Sequence, residues 1–131
     1  MSGFSDYWEN KILDHIFDKD GLTPPTIFVG LSTADPIDDG TGLAEPSGNN
    51  YTRVQTSASD WNPASGGALS NLVEIVFAMA TSDWGTMTHF TLFDAATGGN
   101  MLAFGSLGES KTIGSGGIAK FAAGDLEVKL D

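Results

Sequence analysis

The sequence predicts a mainly β protein: a single-domain β-sandwich or jelly-roll-like barrel with one N-terminal α-helix. Roughly seven or eight short segments rich in β-branched and aromatic residues recur about every ten residues, which is typical of these folds. The 17 glycines among 131 residues exceed the usual share of about 7% and indicate many turns. Helical periodicity is confined to the N-terminal part of the chain. We therefore expect one domain over residues 1–131, with a helix at 4–17 and the β-sandwich at 26–131.

The N-terminal segment 4–17 has the apolar spacing of an amphipathic helix. Ser2 or Ser5 is placed to cap its start, and Gly21 is placed to close its end. Two interpretations of the apolar stripe stay open: it docks on the protein's own sheet, or part of it packs on a neighbouring subunit. The stripe consists of Phe4, Tyr7, Trp8, Ile12, Leu13, Ile16 and Phe17.

The remaining segments read as strands separated by turns. Pro24 and Pro25 prevent the helix from continuing and introduce the first strand. The segment 69–79 is expected to place Val73, Ile75 and Phe77 on one face of a strand. The predicted strands cover residues 26–32, 51–56, 69–79, 86–95, 100–107, 110–113, 117–122 and 126–131.

Two of the strand ends have informative local sequences. Residues 96–99, Ala-Thr-Gly-Gly, predict a hairpin turn in which Gly98 and Gly99 supply positive φ angles. The last strand alternates apolar and polar residues up to Asp131. It is therefore expected to end at a sheet edge that can pair with another chain, although Lys129 would blunt that edge.

The charge and cysteine content exclude several classes of function. With 17 acidic and 6 basic side chains the net charge is −11, so direct nucleic-acid binding, which needs a basic patch, is not expected. No apolar run approaches the length of a membrane span, and the N-terminus lacks the pattern of a secretion signal. The absence of cysteine excludes disulfides and thiolate chemistry, and fits synthesis in a reducing cytosol. The acidity favours solubility, and either a basic partner or divalent cations.

The loop 33–50 between two predicted strands is rich in Asp, Gly, Pro, Ser and Asn. It holds carboxylates and hydroxyls but no His, Cys or Lys, so we expect it to lie over a surface or hold a shape rather than to do chemistry. Its carboxylates are the best candidates for a Ca²⁺ site, since Ca²⁺ prefers several oxygen ligands on a loop. With Gly40 as the loop glycine, however, Ile37 and Pro46 occupy positions that an EF-hand gives to acids, so a solvated acidic loop is the default interpretation. The candidate carboxylates are Asp35, Asp38, Asp39 and Glu45.

Other candidate groups are few. His15 and His89 are the available neutral-pH proton carriers, and neither has a neighbouring Ser–Asp arrangement, so a structural or interface role is expected for both. Trp61 and Trp84 lie in predicted loops, where exposed aromatic rings serve glycan binding and protein contacts about equally well, and Trp8 lies in the helix stripe. We predict no catalytic, cofactor-binding or metal-binding residues, no cofactor and no enzymatic activity.

Four segments resemble a family of small virion proteins of tailed bacteriophages, often labelled phage tail-fibre-like proteins. They are residues 5–17, 29–54, 84–107 and 121–131, in collinear order over more than half of the chain. The most particular runs are Gly-Leu-Ser-Thr-Ala-Asp-Pro at 30–36 and Phe-Asp-Ala-Ala-Thr-Gly-Gly-Asn at 93–100.

The resemblance implies a phage virion structural protein with no catalytic residues. Such proteins are also similar to capsid decoration, or cement, proteins, so the leading expectation is a cement protein on the outer capsid surface that stabilises capsomer junctions. Its expected partners are the major capsid protein and further copies of itself, with a trimer expected. We expect the loop 33–50 and the terminal regions to make these contacts, the last strand by β-augmentation.

Two alternatives stay open. One is a tail or tail-fibre component that engages a host-surface glycan or receptor through Trp61 and Trp84. The other, a small hydrolase or carbohydrate-active enzyme, is the weakest, because no paired acid–base constellation is evident in the sequence.

Overall fold

The computed structural model describes residues 3–130 of the chain. Its mainly β architecture with one N-terminal helix confirms the predicted fold class. In chain order the elements are β1 (Gly3–Phe4), α1 (Asp6–Ile16), β2 (Phe28–Ser32), β3 (Val54–Gln55), a 3₁₀ turn (Ala58–Asp60), β4 (Ala68–Ser70), β5 (Ile75–Val76), β6 (Gly85–Phe93), β7 (Met101–Ile113), β8 (Lys120–Phe121) and β9 (Glu127–Lys129).

The strands form one large antiparallel sheet and two small ones. The large sheet has five strands in the order β1-β7-β6-β2-β3, while β4 pairs with β9 and β5 pairs with β8. The central ladder joins β6 to β7, with Phe90 opposite Gly105 and Thr91 opposite Phe104. Within residues 3–130 no helix is long and apolar enough to cross a membrane.

The main core lies between one face of the large sheet and the two small sheets. Val29 and Leu31 of β2 pack there with Ile75 of β5, Phe77 just after it, and Leu126 just before β9. A second, smaller cluster combines Phe93, Met101 and Phe104 with the half-buried Phe28 and Leu43. Because Leu43 belongs to the loop 33–50, that loop lies over the protein's own sheet, as its composition predicted.

The predicted strand 69–79 is wrong, because the structure divides it between the two small sheets. The cause is Asn71, which is fully buried between β4 and β5. Its Nδ2 donates to the carbonyls of Val73 (2.8 Å) and Ala122 (3.0 Å), and its Oδ1 accepts from the N–H of Leu126 (3.0 Å). A buried amide must satisfy these hydrogen bonds, so the chain turns around it. Val73 is consequently exposed, whereas Ile75 and Phe77 are buried as predicted.

The two strands predicted at 100–107 and 110–113 are one strand, β7. Its partner β6 pairs Met87 with Lys111 and His89 with Ser106, so one residue of β6 faces four residues of β7. This irregularity is a large bulge, which accommodates Gly108 without ending the strand. The hairpin turn before β7 follows the prediction, with φ angles of 60° at Gly98 and 72° at Gly99.

The helix covers Asp6–Ile16 of the predicted 4–17, because Phe4 belongs to β1 and Ser5, one of the two predicted cap residues, is the N-cap. The Ser5 hydroxyl accepts from the N–H of Trp8 (3.2 Å) and caps the first turn, while Ser2 lies outside the described residues. The chain leaves the helix at Asp18, which adopts φ 59°, and the N–H of Lys19 donates to the carbonyl of Asp14 (2.7 Å). Aspartate tolerates this left-handed conformation, so the expected stop at Gly21 is wrong.

The last predicted strand, 126–131, is shorter in the structure. Leu126 is fully buried before β9 begins, and β9 pairs with β4 through Val128 opposite Leu69. Asp131 lies outside the described residues.

Candidate interaction surfaces

Arg53 holds the loop 33–50 against the hairpin turn 94–100. Its guanidinium donates to both carboxylate oxygens of Glu45, with Nη2–Oε1 at 2.7 Å and Nε–Oε2 at 2.9 Å. Its Nη1 donates to the carbonyls of Ala95 and Gly98, both at 2.8 Å. The guanidinium carbon also lies 3.6 Å from the centre of the Phe93 ring. A planar guanidinium suits such forked and stacked contacts, so this group, which we call the Arg53 clamp, is a structural connection between the two segments.

The hydroxyl of Tyr51 connects the Arg53 clamp to β2 of the large sheet. Tyr51 Oη donates to Glu45 Oε2 (2.6 Å) and accepts from the N–H of Leu31 (3.0 Å). Burial, together with the hydrogen bond to Glu45, raises the pKa of Tyr51 well above its usual range, so the hydroxyl stays protonated. A Cβ on Gly30 would lie 2.7 Å from Thr91 Oγ1 and 3.0 Å from Tyr51 Oη, so only glycine fits there. The particular sequence 30–36 is thus explained in part by packing.

The turn 94–100 is fixed by its own side chains as well as by Arg53. Asp94 Oδ1 accepts from the N–H of Asn100 (2.7 Å), and Asp94 Oδ2 accepts from Asn100 Nδ2 (3.0 Å). A Cβ on Gly99 would approach Asp94 Oδ1 to 2.5 Å. The distinctive run 93–100 therefore specifies the shape of a turn.

The candidate Ca²⁺ ligands of the loop do not converge. Glu45 is paired with Arg53. Asp39 Oδ1 accepts from the N–H (3.0 Å) and hydroxyl (2.8 Å) of Thr41, which lowers the pKa of Asp39. Asp35 Oδ1 accepts from the N–H of Ile37 (3.0 Å), and the carbonyl of Asp38 accepts from the N–H of Asp6 (3.0 Å). No group of three or more His, Cys, Asp or Glu side chains within residues 3–130 is arranged to hold a metal ion.

Both histidines have structural contacts. His15 Nδ1 accepts from the N–H of Leu22 (3.1 Å) just beyond the helix. His89 Nδ1 lies 2.8 Å from Thr88 Oγ1, and its Nε2 lies 3.9 Å from Asp35 Oδ1. This row of hydroxyl, imidazole and carboxylate is looser than a catalytic triad, because 3.9 Å exceeds hydrogen-bonding distance. Burial lowers the pKa of His89, and the carboxylate of Asp35 opposes that shift.

Trp61 and Trp84, which the sequence analysis treated together as loop aromatics, differ in their exposure. Trp84 is only 6% exposed. Its Nε1 donates to the carbonyl of Asn49 (2.9 Å), and its ring meets that of Tyr51 edge to face at 5.2 Å. The expectation that Trp84 is an exposed loop aromatic is therefore wrong. Trp61 is half-buried, and its Nε1 donates to Thr56 Oγ1 (2.9 Å).

Trp61 and Trp8 line one groove, which we call the apolar groove. It has a volume of about 840 Å³ and opens between the start of α1, the segment before β2, and the region from the 3₁₀ turn to β4. None of the described residues that line it is Asp, Glu, Lys, Arg or His. Its main apolar lining comes from Phe4, Trp8, Ile27, Trp61, Leu69 and Leu130.

The far end of α1 exposes a second apolar surface. Leu13, Ile16 and Phe17 are 53%, 66% and 68% exposed, and we call them the helix-end patch. Ile12 and Trp8, one and two turns before Ile16, are half-buried. The predicted stripe therefore docks on the protein's own body in its first half only, and its second half is free in the single chain.

Further exposed apolar side chains lie apart from these surfaces. Val76, Met79 and Ile118 are exposed around the β5–β8 pair. Ile37 is 43% exposed at the tip of the loop 33–50 and adopts φ 55°. A β-branched residue rarely takes this conformation, so the Asx turn from Asp35 holds Ile37 in a strained backbone.

The groove could not be found from the sequence. Trp8 and Trp61 come from a helix and a loop that are far apart in the chain, and no local pattern predicts that they meet. The available signal is compositional: Pro24, Pro25 and Pro63, which disfavour helix, all line the groove.

Comparison with known protein families gives a match over nearly the whole chain. The family model described as "Podophage GP4 fiber I protein gp80" matches residues 3–129, nearly the whole chain. No curated protein matches.

Proposed function

The chain belongs to the podophage GP4 fiber I protein gp80 family, and from this membership we propose that it serves as a fibre subunit of a phage virion. The coarser statement, that it is a virion structural protein of a bacteriophage, follows from the family itself. The fibre role is more specific, because a fibre subunit lies outside the capsid shell and associates with other structural chains.

The observation that best supports the fibre role is the pairing of two unfilled apolar surfaces on one small chain. The apolar groove and the helix-end patch lie at different places, so one chain can contact neighbours on two sides. Exposed apolar surface of this kind marks sites of protein interaction. The role requires no catalysis, and we propose no catalytic residue, cofactor or metal.

A second candidate role is capsid decoration with the major capsid protein as partner. The loop 33–50 favours it, because the Arg53 clamp holds the loop in shape while its tip presents Ile37. A fixed loop with an exposed apolar tip suits insertion between neighbouring capsomers. The sequence analysis linked host-glycan binding to Trp61 and Trp84. Because Trp84 is buried, such binding would depend on Trp61 alone.

The experiment that tests the fibre role is cryo-electron microscopy of virions that contain the protein, with a fused tag located by a gold-labelled binder. Density and label on appendages of the tail or neck would support it. Density on the head lattice at capsomer junctions would contradict it and support the decoration role. An untagged virion, handled in the same way, controls for non-specific labelling.

A further inference from the structure

We propose that the helix-end patch binds an apolar cleft, bordered by Lys or Arg side chains, on a different structural protein of the virion. This inference rests on the proposed function, and it adds the chemistry of one partner. The patch presents Leu13, Ile16 and Phe17 at i, i+3 and i+4, which is the spacing with which a helix fills an apolar cleft. The charges around the patch specify the border of that cleft.

Three exposed carboxylates border the helix-end patch. Glu9 lies one turn before the patch, Asp14 lies within its span of sequence, and Asp18 follows it directly. In the part of the chain that the structure describes, no ion pair holds any of these three carboxylates, whereas Asp20 pairs with Lys11 at 3.3 Å. The border of the patch is therefore negatively charged, and the cations of a partner can pair with it.

The helix dipole explains only the first of these carboxylates. Acidic residues stabilise the first turn of a helix, where Glu9 lies, and are unfavourable in the last turn, where Asp14 lies. Asp18 suits its positive φ angle of 59°, but Gly or Asn would suit that angle without a charge. Cations on a binding partner would offset the unfavourable position of Asp14 and Asp18.

A second copy of the chain does not provide these cations. Each copy has a net charge of −11, so two copies repel each other. The apolar groove of another copy has no Lys, Arg or His among its described lining residues, so it could not neutralise the carboxylates that such a contact would cover. An apolar cleft with a basic border, on a different chain, matches both the patch and its charges.

The contact is small, so a single copy should bind weakly and in a salt-dependent way. Twelve of the fifteen residues 6–20 are exposed, whereas a stable interface usually involves about 20–30 residues on each partner. Added salt screens the attraction between exposed charges. Several copies in one assembly would strengthen the binding, because each bound copy raises the effective concentration of the next.

The first test measures how much of the protein remains on purified virions as the salt concentration rises. The double variant Asp14→Asn with Asp18→Asn should be released at a salt concentration lower by about twofold or more, because it removes two charges from the border. Asn also tolerates the backbone of Asp18. Glu109→Gln with Asp125→Asn is the matched control, since it changes the net charge equally at exposed positions outside α1.

The apolar part of the contact has its own pair of variants. Ile16→Ser should lower the amount of protein retained on virions about tenfold, because it removes an aliphatic side chain that the partner would bury. Ile118→Ser is the control, since Ile118 is 52% exposed and lies outside the patch. Circular dichroism and the melting midpoint show whether each variant is folded.

Carbodiimide cross-linking of intact virions identifies the partner. The reagent forms an amide bond between a carboxylate and a lysine amine that are in contact, and mass spectrometry of the peptides locates both residues. A product that joins Asp14 or Asp18 to a lysine of another virion protein would support the contact. Products in which these carboxylates are joined only to lysines of this chain, such as Lys19, would overturn it.

Equal release of the double variant Asp14→Asn with Asp18→Asn and its control would also overturn the contact, as would equal release of Ile16→Ser and Ile118→Ser. The cross-linked partner is identified whether the protein lies on the tail or on the head. This inference and the fibre role can therefore fail separately.

Discussion

Arg53 and Glu45 meet through two parallel hydrogen bonds of 2.7 and 2.9 Å, with the side chain of Arg53 only 4% exposed and that of Glu45 19% exposed. A charge this buried must keep its partner, because water cannot replace the lost interaction. The two partners are eight residues apart in sequence, and Arg53 also connects the long loop to the hairpin turn by donating to the carbonyls of Ala95 and Gly98.

Replacing Arg53 by Met should destabilise the protein by about 3 kcal/mol, because Glu45 would be left partly buried without its cation. The measurement is the free energy of unfolding from urea denaturation. Lys129→Met is the control, since Lys129 pairs with Glu127 at 3.5 Å on an exposed surface, and it should cost less than about 1 kcal/mol. Equal losses for the two variants would contradict a structural role for the clamp.

Gly30→Ala should destabilise the protein by about 1–3 kcal/mol. The new methyl group would lie 2.7 Å from Thr91 Oγ1, 3.0 Å from Tyr51 Oη and 3.1 Å from Glu45 Oε2, so the clamp must shift. Gly108→Ala is the matched control, because nothing lies within 4 Å of a Cβ built there, and it should change stability by less than about 0.5 kcal/mol. Thermal and urea unfolding of both variants check the difference; a neutral Gly30→Ala would disprove the close packing.

Asn71→Ala should cost about 2–3 kcal/mol, because the N–H of Leu126 and the carbonyls of Val73 and Ala122 would lose their buried partner. Hydrogen exchange offers a local measurement. Amides of the β4–β9 and β5–β8 pairs should exchange faster in the variant, while those of the β6–β7 ladder stay protected. Uniform acceleration throughout the chain would show that Asn71 does not act locally.

His89 should make the stability depend on pH. Its pKa in the folded protein is lowered from 6.5, chiefly by burial. The unfolded chain therefore binds the proton more readily, and the stability that neutral His89 contributes above pH 6.5 is lost as the pH falls through that value and then through the lower folded pKa. The free energy of unfolding measured between pH 7.5 and about 5.5 should decline more steeply for the wild type than for His89→Gln. Parallel curves would rule out this contribution.

Local signals in the sequence were sufficient where neighbouring residues determine the structure. The turn at Gly98 and Gly99 and the Ser5 cap depend on residues close in the chain and are found as predicted, and β2 covers Phe28–Ser32 of the predicted 26–32. Trp84 shows where such reasoning stops. Its burial depends on Asn49 and Tyr51, more than thirty residues earlier, and a tryptophan before a glycine carries no sign of those partners.

The same limit applies to the candidate surfaces. The amphipathic pattern of α1 predicts which side chains share a face, but it does not predict that the buried part of that face ends between the half-buried Ile12 and the exposed Ile16. The acidic residues of the loop looked like a cluster because they are close in sequence. In the structure Glu45 instead pairs with Arg53, which lies outside the loop, and not with the other acidic residues of the loop.

The Arg53 clamp also helps to fix the backbone of the loop 33–50 through a few of its side chains. Glu45, Leu43 and the Ser32 hydroxyl, which accepts from the N–H of Ala44 at 3.0 Å, hold the backbone from within the chain. Ile37 lies between these anchors with its side chain 43% exposed. A phage lineage can therefore change what the loop displays to a new partner, residue by residue, while the fold that displays it is inherited intact.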